Sequence, residues 1–352
     1  MDSSTIPLNL ALMNMETIAY TEVQELLMRH FEATGLDREK AAVVTSILLE
    51  GELMGHSTHG LQLVKPYLTH LHNGSMETKG TYTVLNQMQA SQLWDGRYLP
   101  GPWLVQEAIA TAKEMASTCG TGTVVIQASS HIGCLAAYME AATADGSMIL
   151  LACSDPDNAT VAPFGGTTPV YSPDPLAMGI PTGAEPIIID ISMSATSNGH
   201  IHMKKQQGQL LEHPWLLTPD GETTTDPERY FETPPATILP LGGLDSGYKG
   251  FALGIMIEAL TAALGGHGRV SHPNRWGASV FLQVINPGSF SGESYIKKEM
   301  EHFKHLCLKS TPAKADKPVR MPGQRGLALK KKYLAEGLPI SAELLHFLQK
   351  TE

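Results

Sequence analysis

Two histidines lie three residues apart in the segment GHSTHG, which carries His56 and His59. A loop histidine can donate and accept a proton near neutral pH, because the ordinary pKa of imidazole is about 6.5. The pair could also supply two ligands to a metal ion. A third possibility is that both are ordinary loop side chains. The spacing alone leaves these three interpretations open.

A metal site needs more ligands than these two residues provide. Zinc-binding histidine pairs on helices lie one helical turn apart, and no acidic residue completes a recognised metal pattern here. A second pair, His200 and His202 in HIHMKK, is interpreted as part of a surface β segment. The sequence therefore predicts no metal site. A metal-dependent hydrolase that uses His56, His59 and an acidic partner is kept as the third hypothesis for function.

Asp190 is a candidate partner for a catalytic histidine. It ends the apolar run PIIID, where a strand would place it at the edge of a sheet. α/β folds hold many of their sites at strand ends, and a carboxylate there can orient an imidazole and stabilise its cation. The alternative is that Asp190 caps the following segment SMSATS or belongs to a turn.

Neither standard phosphate-binding loop occurs in the chain. G-x-G-x-x-G after a strand and G-x-x-x-x-G-K-[ST] are both absent. Glycine-containing loops remain in FGGTT, LGGLDSG and MPGQRG, and Arg325 in the last of these could bind a phosphate with two hydrogen bonds. Tight turns are the commoner explanation of such glycines.

Helical patterns occupy the first third of the sequence and position the histidine loop. A capping box at Thr21 starts the first helix, and a second helix runs from Asp37 towards Met54. Gly55 then ends the second helix, which places His59 in a loop or a tight turn. Another helix is expected from residue 102 to residue 120, with a proline at its first position.

Short β-type runs begin after residue 120. They read TGTVVIQA, MILLACS, LAMGIPT and PIIIDIS, and a helix-length segment separates the first two. At least one strand, helix, strand unit is therefore expected. A long apolar helix from Lys249 to Leu264 precedes a further strand, ASVFLQVINP, and the tail returns to helices. The pattern predicts a helical N-terminus, an α/β centre and a helical C-terminus, with the two helical ends packed together.

Composition and charge restrict the class of protein. The 352 residues are 42% hydrophobic and 17% charged, which is typical of a globular protein with a large core. The net charge of −10 argues against a nucleic-acid partner. Since neither a membrane-spanning run nor a secretory signal is recognised, a cytoplasmic protein without a membrane partner is expected. The four cysteines lack a C-x-x-C spacing, which fits a reducing compartment.

Several segments together resemble the malate/L-lactate dehydrogenase family of the non-Rossmann type. This family includes sulfolactate, ureidoglycolate and diketogulonate dehydrogenases and piperideine-carboxylate reductases. The matching segments, in the family's order, are ELMGHSTHGLQLVKPYLTHLHNGSM, SSHIG, VAPFGGTTPVYSPDPLAMGIP, PIIIDISMS, TTDP, LGGLDSGYKGFALGIMIEAL and VRMPGQRG. They span nearly the whole chain, so the resemblance is more specific than any single motif.

The resemblance implies a fold and an assembly. The fold would be α/β, with a non-Rossmann NAD(P)-binding domain whose mixed sheet is largely antiparallel and a helical domain built from both chain ends. Residues 1–120 would form the helical domain with the catalytic histidine, residues 121–304 the NAD(P)-binding domain, and residues 305–352 a helical C-terminus packed on the first domain. A homodimer with its active site between the two domains is expected.

The resemblance also implies a reaction, which is hydride exchange between NAD or NADP and a small anionic 2-oxo or 2-hydroxy acid or a related cyclic imine. His59 would be the general acid/base, and Asp190 would orient and stabilise it. Thr58 stands where the family has serine, and His131 in SSHIG matches a second site histidine. The residues expected to contact the cofactor are Ser154, Asp190, Ile191, Ser192, Lys249, Gly323, Gln324 and Arg325.

Three positions depart from the family pattern. Met54 and Leu63 stand where the family commonly has arginine, which is the preferred partner of a substrate carboxylate. Lys65 could replace the missing arginine as a point charge. Asp174 in SPDP replaces the usual asparagine and adds negative charge. The alternative function is therefore a family member that binds a nucleotide or metabolite without turnover.

Overall fold

The computed structural model describes residues 15–350. The strands are β1 (Met15–Ile18), β2 (Thr83–Gln87), β3 (Ser91–Asp95), β4 (Thr121–Ser129), β5 (Met148–Ser154), β6 (Leu176–Ile180), β7 (Ile187–Ile191), β8 (Leu216–Leu217), β9 (Thr223–Thr224), β10 (Thr237–Ile238), β11 (Ala278–Ile285) and β12 (Leu338–Ser341). The α-helices are α1 (Tyr20–Ala33), α2 (Arg38–Leu53), α3 (Val64–His72), α4 (Gly101–Cys119), α5 (Met139–Thr143), α6 (Asn198–Gln206), α7 (Gly243–Glu258), α8 (Glu293–Leu308), α9 (Gln324–Glu336) and α10 (Ala342–Gln349).

A seven-stranded sheet in the order β2-β3-β4-β11-β5-β6-β7 forms the centre of the fold. The pair β3 and β4 is parallel, and the other neighbouring pairs are antiparallel. The predicted α/β class and the mixed sheet are confirmed. β11 lies between β4 and β5, so the predicted strand, helix, strand unit joins two strands that are not neighbours in the sheet.

Strands β2 and β3 belong to this sheet, although they lie in the third of the chain predicted to be helical. Trp94 of β3 is fully buried, whereas every residue of β2 is exposed. Since β2 is an edge strand with no buried face, it lacks the alternating pattern that reveals a strand. The helical prediction is therefore wrong for residues 83–95. The domain boundary predicted at residue 120 would therefore assign β2 and β3 to a different domain from the other five strands of their sheet.

Helix α4 packs closely on β4 at a glycine. A Cβ atom built on Gly122 would lie 2.1 Å from the carbonyl oxygen of Ala112 in the helix. No heavy atom fits at that distance, so only glycine allows the helix to approach the strand this closely. The helix itself agrees with the prediction, since it ends at Cys119 and Gly120 follows in the left-handed conformation.

Helices α1, α2, α3 and α10 share a second hydrophobic core, to which both ends of the described chain contribute. Buried members include Leu27, Phe31 and Leu48 from the first two helices and Ile340 and Leu345 from the last two elements. β1 and β12 pair in antiparallel fashion beside this core. Segments about 300 residues apart in sequence therefore complete one packing unit.

Local differences from the sequence prediction have identifiable causes. α1 begins at Tyr20, one residue before the predicted capping box, and no side chain caps it. His200 and His202 lie in α6 and not in a β segment, because the hydroxyl of Ser197 accepts the backbone N–H of His200 and starts a helix. The long apolar helix starts earlier than predicted, at Gly243, and continues beyond α7 as a π-helical turn.

Across residues 15–350, no helix is both long enough and apolar enough to cross a membrane.

Candidate active site

A cavity of about 300 Å³ lies where the ends of β4, β5 and β7 meet the loop between α2 and α3. Residues that are far apart in sequence converge here from the central sheet and from the helical core. The predicted site residues that line the cavity are Thr58, His59, His131, Ser154, Asp190, Ile191 and Ser192. The fold therefore assembles one candidate site from residues that the sequence resemblance had selected separately.

The other predicted cofactor residues do not line this cavity. Lys249 is exposed on α7, and Gln324 and Arg325 are exposed in the first turn of α9. Gly323 has a φ of 81° and packs on β7, where a Cβ atom would lie 2.7 Å from Cβ of Ile188. Close packing and backbone conformation therefore account for Gly323. Contact of these residues with a cofactor stays a prediction.

The carboxylate of Glu52 fixes the loop that carries His59. His59 is the last residue of the 3₁₀ turn Ser57–His59, and Oε2 of Glu52 accepts the backbone N–H of Leu61 at 3.0 Å. A Cβ atom on Gly60 would lie 2.6 Å from the same oxygen, so the loop rests directly on Glu52. Burial raises the pKa of Glu52. Sequence reasoning did not select Glu52, although an acidic residue on the last turn of an apolar helix was a usable signal.

The imidazole of His59 is held by its neighbour in sequence. Its Nδ1 atom lies 3.0 Å from Oγ1 of Thr58. Burial lowers the pKa of His59 below its ordinary value, and the negative charge of Asp190 acts in the opposite direction. The half-buried ring is therefore mostly neutral at neutral pH, while a carboxylate close by favours its protonated form when a proton arrives.

Asp190, which is predicted to orient and stabilise His59, makes no hydrogen bond to it within residues 15–350. Its Oδ2 atom accepts the backbone N–H of Ala136 at 2.8 Å and lies 3.8 Å from Sγ of Cys134. The first backbone amides of the 3₁₀ turn Leu135–Tyr138 need acceptors, and this carboxylate supplies one. Within the described part of the chain, Thr58 makes the hydrogen bond to the histidine, and Asp190 acts on the imidazole through its charge.

His131 is held as a neutral hydrogen-bond donor. Its ring stacks on His59, with centroids 6.0 Å apart, and on Trp276 at 4.7 Å. The backbone N–H of Gly133 donates to Nδ1 at 3.1 Å, and the Tyr67 hydroxyl donates to the carbonyl oxygen of His131. Since Nδ1 is an acceptor, the proton lies on Nε2. Burial and the adjacent imidazole lower the pKa of His131 to about 3, so the ring stays uncharged.

The two positions at which the resemblance predicts arginine do not line the cavity. Met54 is buried under α9, where a Cβ atom on Gly326 would lie 3.2 Å from its Cε atom. Leu63 packs against the helical core. The ammonium of Lys65 pairs with Glu343 at 2.9 Å, outside the cavity. The hypothesis that Lys65 supplies the missing charge to the site is therefore wrong.

Asp174 is a fully buried carboxyl group directly behind the cavity wall. Its φ of 47° is left-handed, Oδ1 accepts the hydroxyl of Ser172, and Oδ2 has no partner among the described residues. Burial, together with the negative charge of Glu258, raises the pKa of Asp174 well above its ordinary value. Burial therefore favours the neutral form of Asp174, which opposes the negative charge predicted from the sequence.

Replacing Asp174 by asparagine should stabilise the protein increasingly as the pH rises. Asparagine keeps the acceptor for Ser172, tolerates the left-handed conformation and cannot ionise. The parent Asp174 keeps its proton when folded but loses it when unfolded, so rising pH favours unfolding above the ordinary pKa of aspartate. The difference in free energy of unfolding should grow by up to about 1.4 kcal/mol per pH unit. Denaturant unfolding of both proteins from about pH 5 to pH 8 measures it.

The control for this measurement is Asp220→Asn, because Asp220 is exposed in a turn. It should change the unfolding free energy little at any pH. A difference between Asp174→Asn and the parent that does not vary with pH would contradict the assignment of Asp174 as a buried, protonated acid.

No group of three or more histidine, cysteine or acidic side chains within residues 15–350 is placed to hold a metal ion. His56 is exposed at the cavity rim. Cys134 and Cys153 also line the cavity, and burial raises the pKa of both thiols, so they are present as neutral groups.

Comparison with known proteins gives a consistent family. The sequence model of the malate/L-lactate dehydrogenase family matches residues 18–349. A Delta(1)-pyrroline-2-carboxylate/Delta(1)-piperideine-2-carboxylate reductase of Pseudomonas putida is 28% identical over 347 residues, which cover 94% of this chain and 96% of that protein. A (2R)-3-sulfolactate dehydrogenase (NADP(+)) of Chromohalobacter salexigens is 28% identical over 322 residues, which cover 89% and 92% of the two chains.

The fold agrees with solved structures. The malate dehydrogenase from Entamoeba histolytica superposes with a TM-score of 0.90 at 21% identity, and the alignment covers 95% of this chain and 96% of that chain. At this level of identity the likeness concerns the fold alone.

Proposed function

Because the chain belongs to the malate/L-lactate dehydrogenase family, we propose that it transfers a hydride between NAD or NADP and a small 2-oxo acid, 2-hydroxy acid or related cyclic imino acid, with His59 as the general acid/base. It is an oxidoreductase. The observation that carries the finer proposal is the cavity in which His59 and His131 stack face to face, with Thr58 and Asp190 beside them.

His59 moves the proton of this reaction. In the direction of oxidation its neutral imidazole accepts the substrate hydroxyl proton, and in reduction its imidazolium returns a proton to the carbonyl oxygen or imine nitrogen. Thr58 holds Nδ1 and thereby sets the ring orientation. The charge of Asp190 supports the imidazolium, since it raises the pKa of His59 against the effect of burial.

His131 binds substrate and does not move a proton. Its Nε2–H is a permanent donor, because Nδ1 is occupied by the N–H of Gly133 and the ring remains neutral. A donor that does not change its protonation state can hold a carboxylate or a carbonyl oxygen over a wide pH range. The two stacked histidines therefore have different roles. His59 carries the proton, and His131 positions the substrate as a hydrogen-bond donor.

The cavity fits the reactive end of a nicotinamide cofactor. Its volume is near the lower limit of ligand pockets, which suffices for a nicotinamide ring and a small acid but not for a dinucleotide. Ser154 and the segment 191–192 offer hydroxyl and backbone groups to the carboxamide. When bound, the nicotinamide supplies or takes up the hydride. Lys249 and the turn with Gly323, Gln324 and Arg325 lie outside the cavity and would contact the remainder of the cofactor.

We also propose that the chain acts as a homodimer. Apolar side chains on α7 are exposed, among them Leu244, Tyr248, Ile255 and Met256, with exposed fractions of 41–57%. A contiguous apolar helix face of this kind is typical of a protein–protein interface.

A substrate panel tests the proposed function. Oxidation of NADH and NADPH should be followed by absorbance with pyruvate, oxaloacetate, 3-sulfopyruvate and Δ1-piperideine-2-carboxylate. Cofactor-dependent turnover with at least one of these is expected. Tight binding of NADH or NADPH in calorimetry, together with no turnover of any compound, would instead support the alternative of a binding protein without catalysis.

A further inference from the structure

The cavity has an unusual balance of charge for a site that binds organic acids. Among residues 15–350, the side chains that line it include the carboxyl groups of Asp155 and Asp190 but no lysine or arginine. His59 and His131, the two imidazoles inside it, are mostly neutral because burial lowers the pKa of each. The described chain therefore supplies no fixed positive charge for a substrate carboxylate or sulfonate.

Arg269, which contacts two residues of the cavity wall, is engaged in holding the fold together. The guanidinium of Arg269 contacts Oε1 of Glu258 at 2.6 Å and 3.2 Å. It also donates to the carbonyl oxygens of Asn158 at 2.9 Å and of Asp155 at 3.3 Å. Its charge is paired with Glu258, and its hydrogen-bond donors point to protein acceptors. Arg269 thus orders the wall behind Asp155 without offering a ligand contact.

The side chain of Asp155 is partly free to meet a ligand. Its Oδ1 atom accepts the backbone N–H of Asp157 at 3.1 Å, which fixes the turn, and the side chain lines the cavity at the end of β5. Burial raises the pKa of Asp155 to about 7, so the group gains or loses its proton near neutral pH. A cation placed against it would favour the carboxylate form.

From these contacts we infer that the substrate of this cavity carries a cationic nitrogen beside its carboxylate, as a cyclic imino acid does when protonated, and that Asp155 faces that nitrogen. The inference rests on the proposed function and names its substrate class. His131 would donate Nε2–H to the single carboxylate. A dicarboxylate or sulfonate would bring a second negative charge towards Asp155 and Asp190, and no lysine or arginine among the described lining residues balances it.

The chemistry of reduction agrees with this arrangement. The imidazolium of His59 protonates the lone pair of the imine nitrogen, which forms the iminium cation. The carbon of the C=N bond then takes the hydride, while the π electron pair passes to nitrogen and neutralises its charge. The product is a cyclic secondary amine that keeps its carboxylate. Positive charge lies on the nitrogen at the iminium stage, and a carboxylate placed against that nitrogen stabilises it.

The decisive variant is Asp155→Asn, with Asp157→Asn as its matched control. Asparagine at position 155 keeps the oxygen that accepts the N–H of Asp157, so the turn is retained and only the charge is lost. Asp157 is exposed and bears the same charge two residues away. With Δ1-piperideine-2-carboxylate as substrate, Asp155→Asn should lower kcat/KM at least tenfold, whereas Asp157→Asn should match the parent. With oxaloacetate, Asp155→Asn should be no worse than the parent.

A binding measurement gives a readout that does not depend on turnover. Calorimetric titration of L-proline and of L-malate into the enzyme saturated with NADPH compares a zwitterion with a dianion, and neither is reduced under these conditions. L-proline should bind more tightly than L-malate, and Asp155→Asn should weaken L-proline at least tenfold. Unfolding curves establish that the variant is folded.

The outcomes separate this inference from the proposed function. Turnover confined to dianionic oxo acids, or L-malate binding at least as tightly as L-proline, would overturn the inference and leave the oxidoreductase proposal standing. Unchanged L-proline binding in Asp155→Asn would likewise overturn the role of Asp155. No turnover of any panel member, with no binding of either ligand, would overturn both.

Discussion

Replacing His59 by alanine is expected to lower kcat by about 10²–10⁴-fold, which is the usual contribution of a positioned general acid/base. The other imidazole inside the cavity cannot take over this task, because the pKa of His131 is about 3 and its Nδ1 atom is occupied. KM should change by only a few-fold, since His131 still holds the substrate. Initial rates with the best substrate of the panel, at saturating cofactor, measure the effect.

The matched control for His59 is His56, which lines the same cavity three residues earlier but is exposed at its rim. His56→Ala should retain near-parental kcat. External imidazole should restore part of the activity of His59→Ala if the void admits it and proton transfer is the lost function. Undiminished turnover in His59→Ala would reject the proton-transfer role, whatever the result for His56.

The second large effect concerns stability and is expected at Gly122. The substitution Gly122→Ala should destabilise the protein by about 3 kcal/mol, at the upper end of what overpacking costs. The added methyl group would lie 2.1 Å from the carbonyl oxygen of Ala112. A backbone atom cannot relieve this clash by a change of rotamer, as a flexible side chain can. Helix α4 must therefore shift on the sheet. Denaturant unfolding monitored by circular dichroism measures the loss.

A second glycine calibrates this measurement. Gly183 has no heavy atom within 4 Å of the position that a Cβ atom would occupy, and its φ is not left-handed. Gly183→Ala should stay within about 0.5 kcal/mol of the parent. Equal effects of the two substitutions would show that the contact between α4 and β4 is not the close approach that the geometry describes.

Much of the local structure could be predicted because single residues mark it. The apolar spacing of α1 and α2, the stop at Gly55 and the buried β runs after residue 120 each depend on neighbours in sequence. The position of β11 between β4 and β5 does not depend on neighbours in sequence, because more than 120 residues separate β5 from β11. Edge strand β2 was not predicted for a different reason. All of its residues are exposed, so its sequence lacks the alternation of apolar and polar residues that marks a strand.

For the candidate site, the sequence predicted several of the residues but not the contacts that form only on folding. The histidine loop, His131 and Asp190 were selected from the family resemblance, and the fold places them around one cavity. Glu52 and the true partner of Asp190 were not predicted, because Leu61 and Ala136 come near them only after folding. The burial of Met54 under α9 was not predicted either, since nothing in its own segment reveals this contact.

The antiparallel pair of β1 and β12 determines when the site can form during synthesis. β1 lacks its pairing partner until residues 338–341 have left the ribosome, and the core around α1 to α3 lacks Leu338, Ile340, Leu345 and Leu348 until then. The seven-stranded sheet needs only residues up to 285. We therefore expect the sheet to be complete while the helices that carry the His59 loop still await their last partners. The nascent protein would acquire a folded sheet first and its proton carrier last.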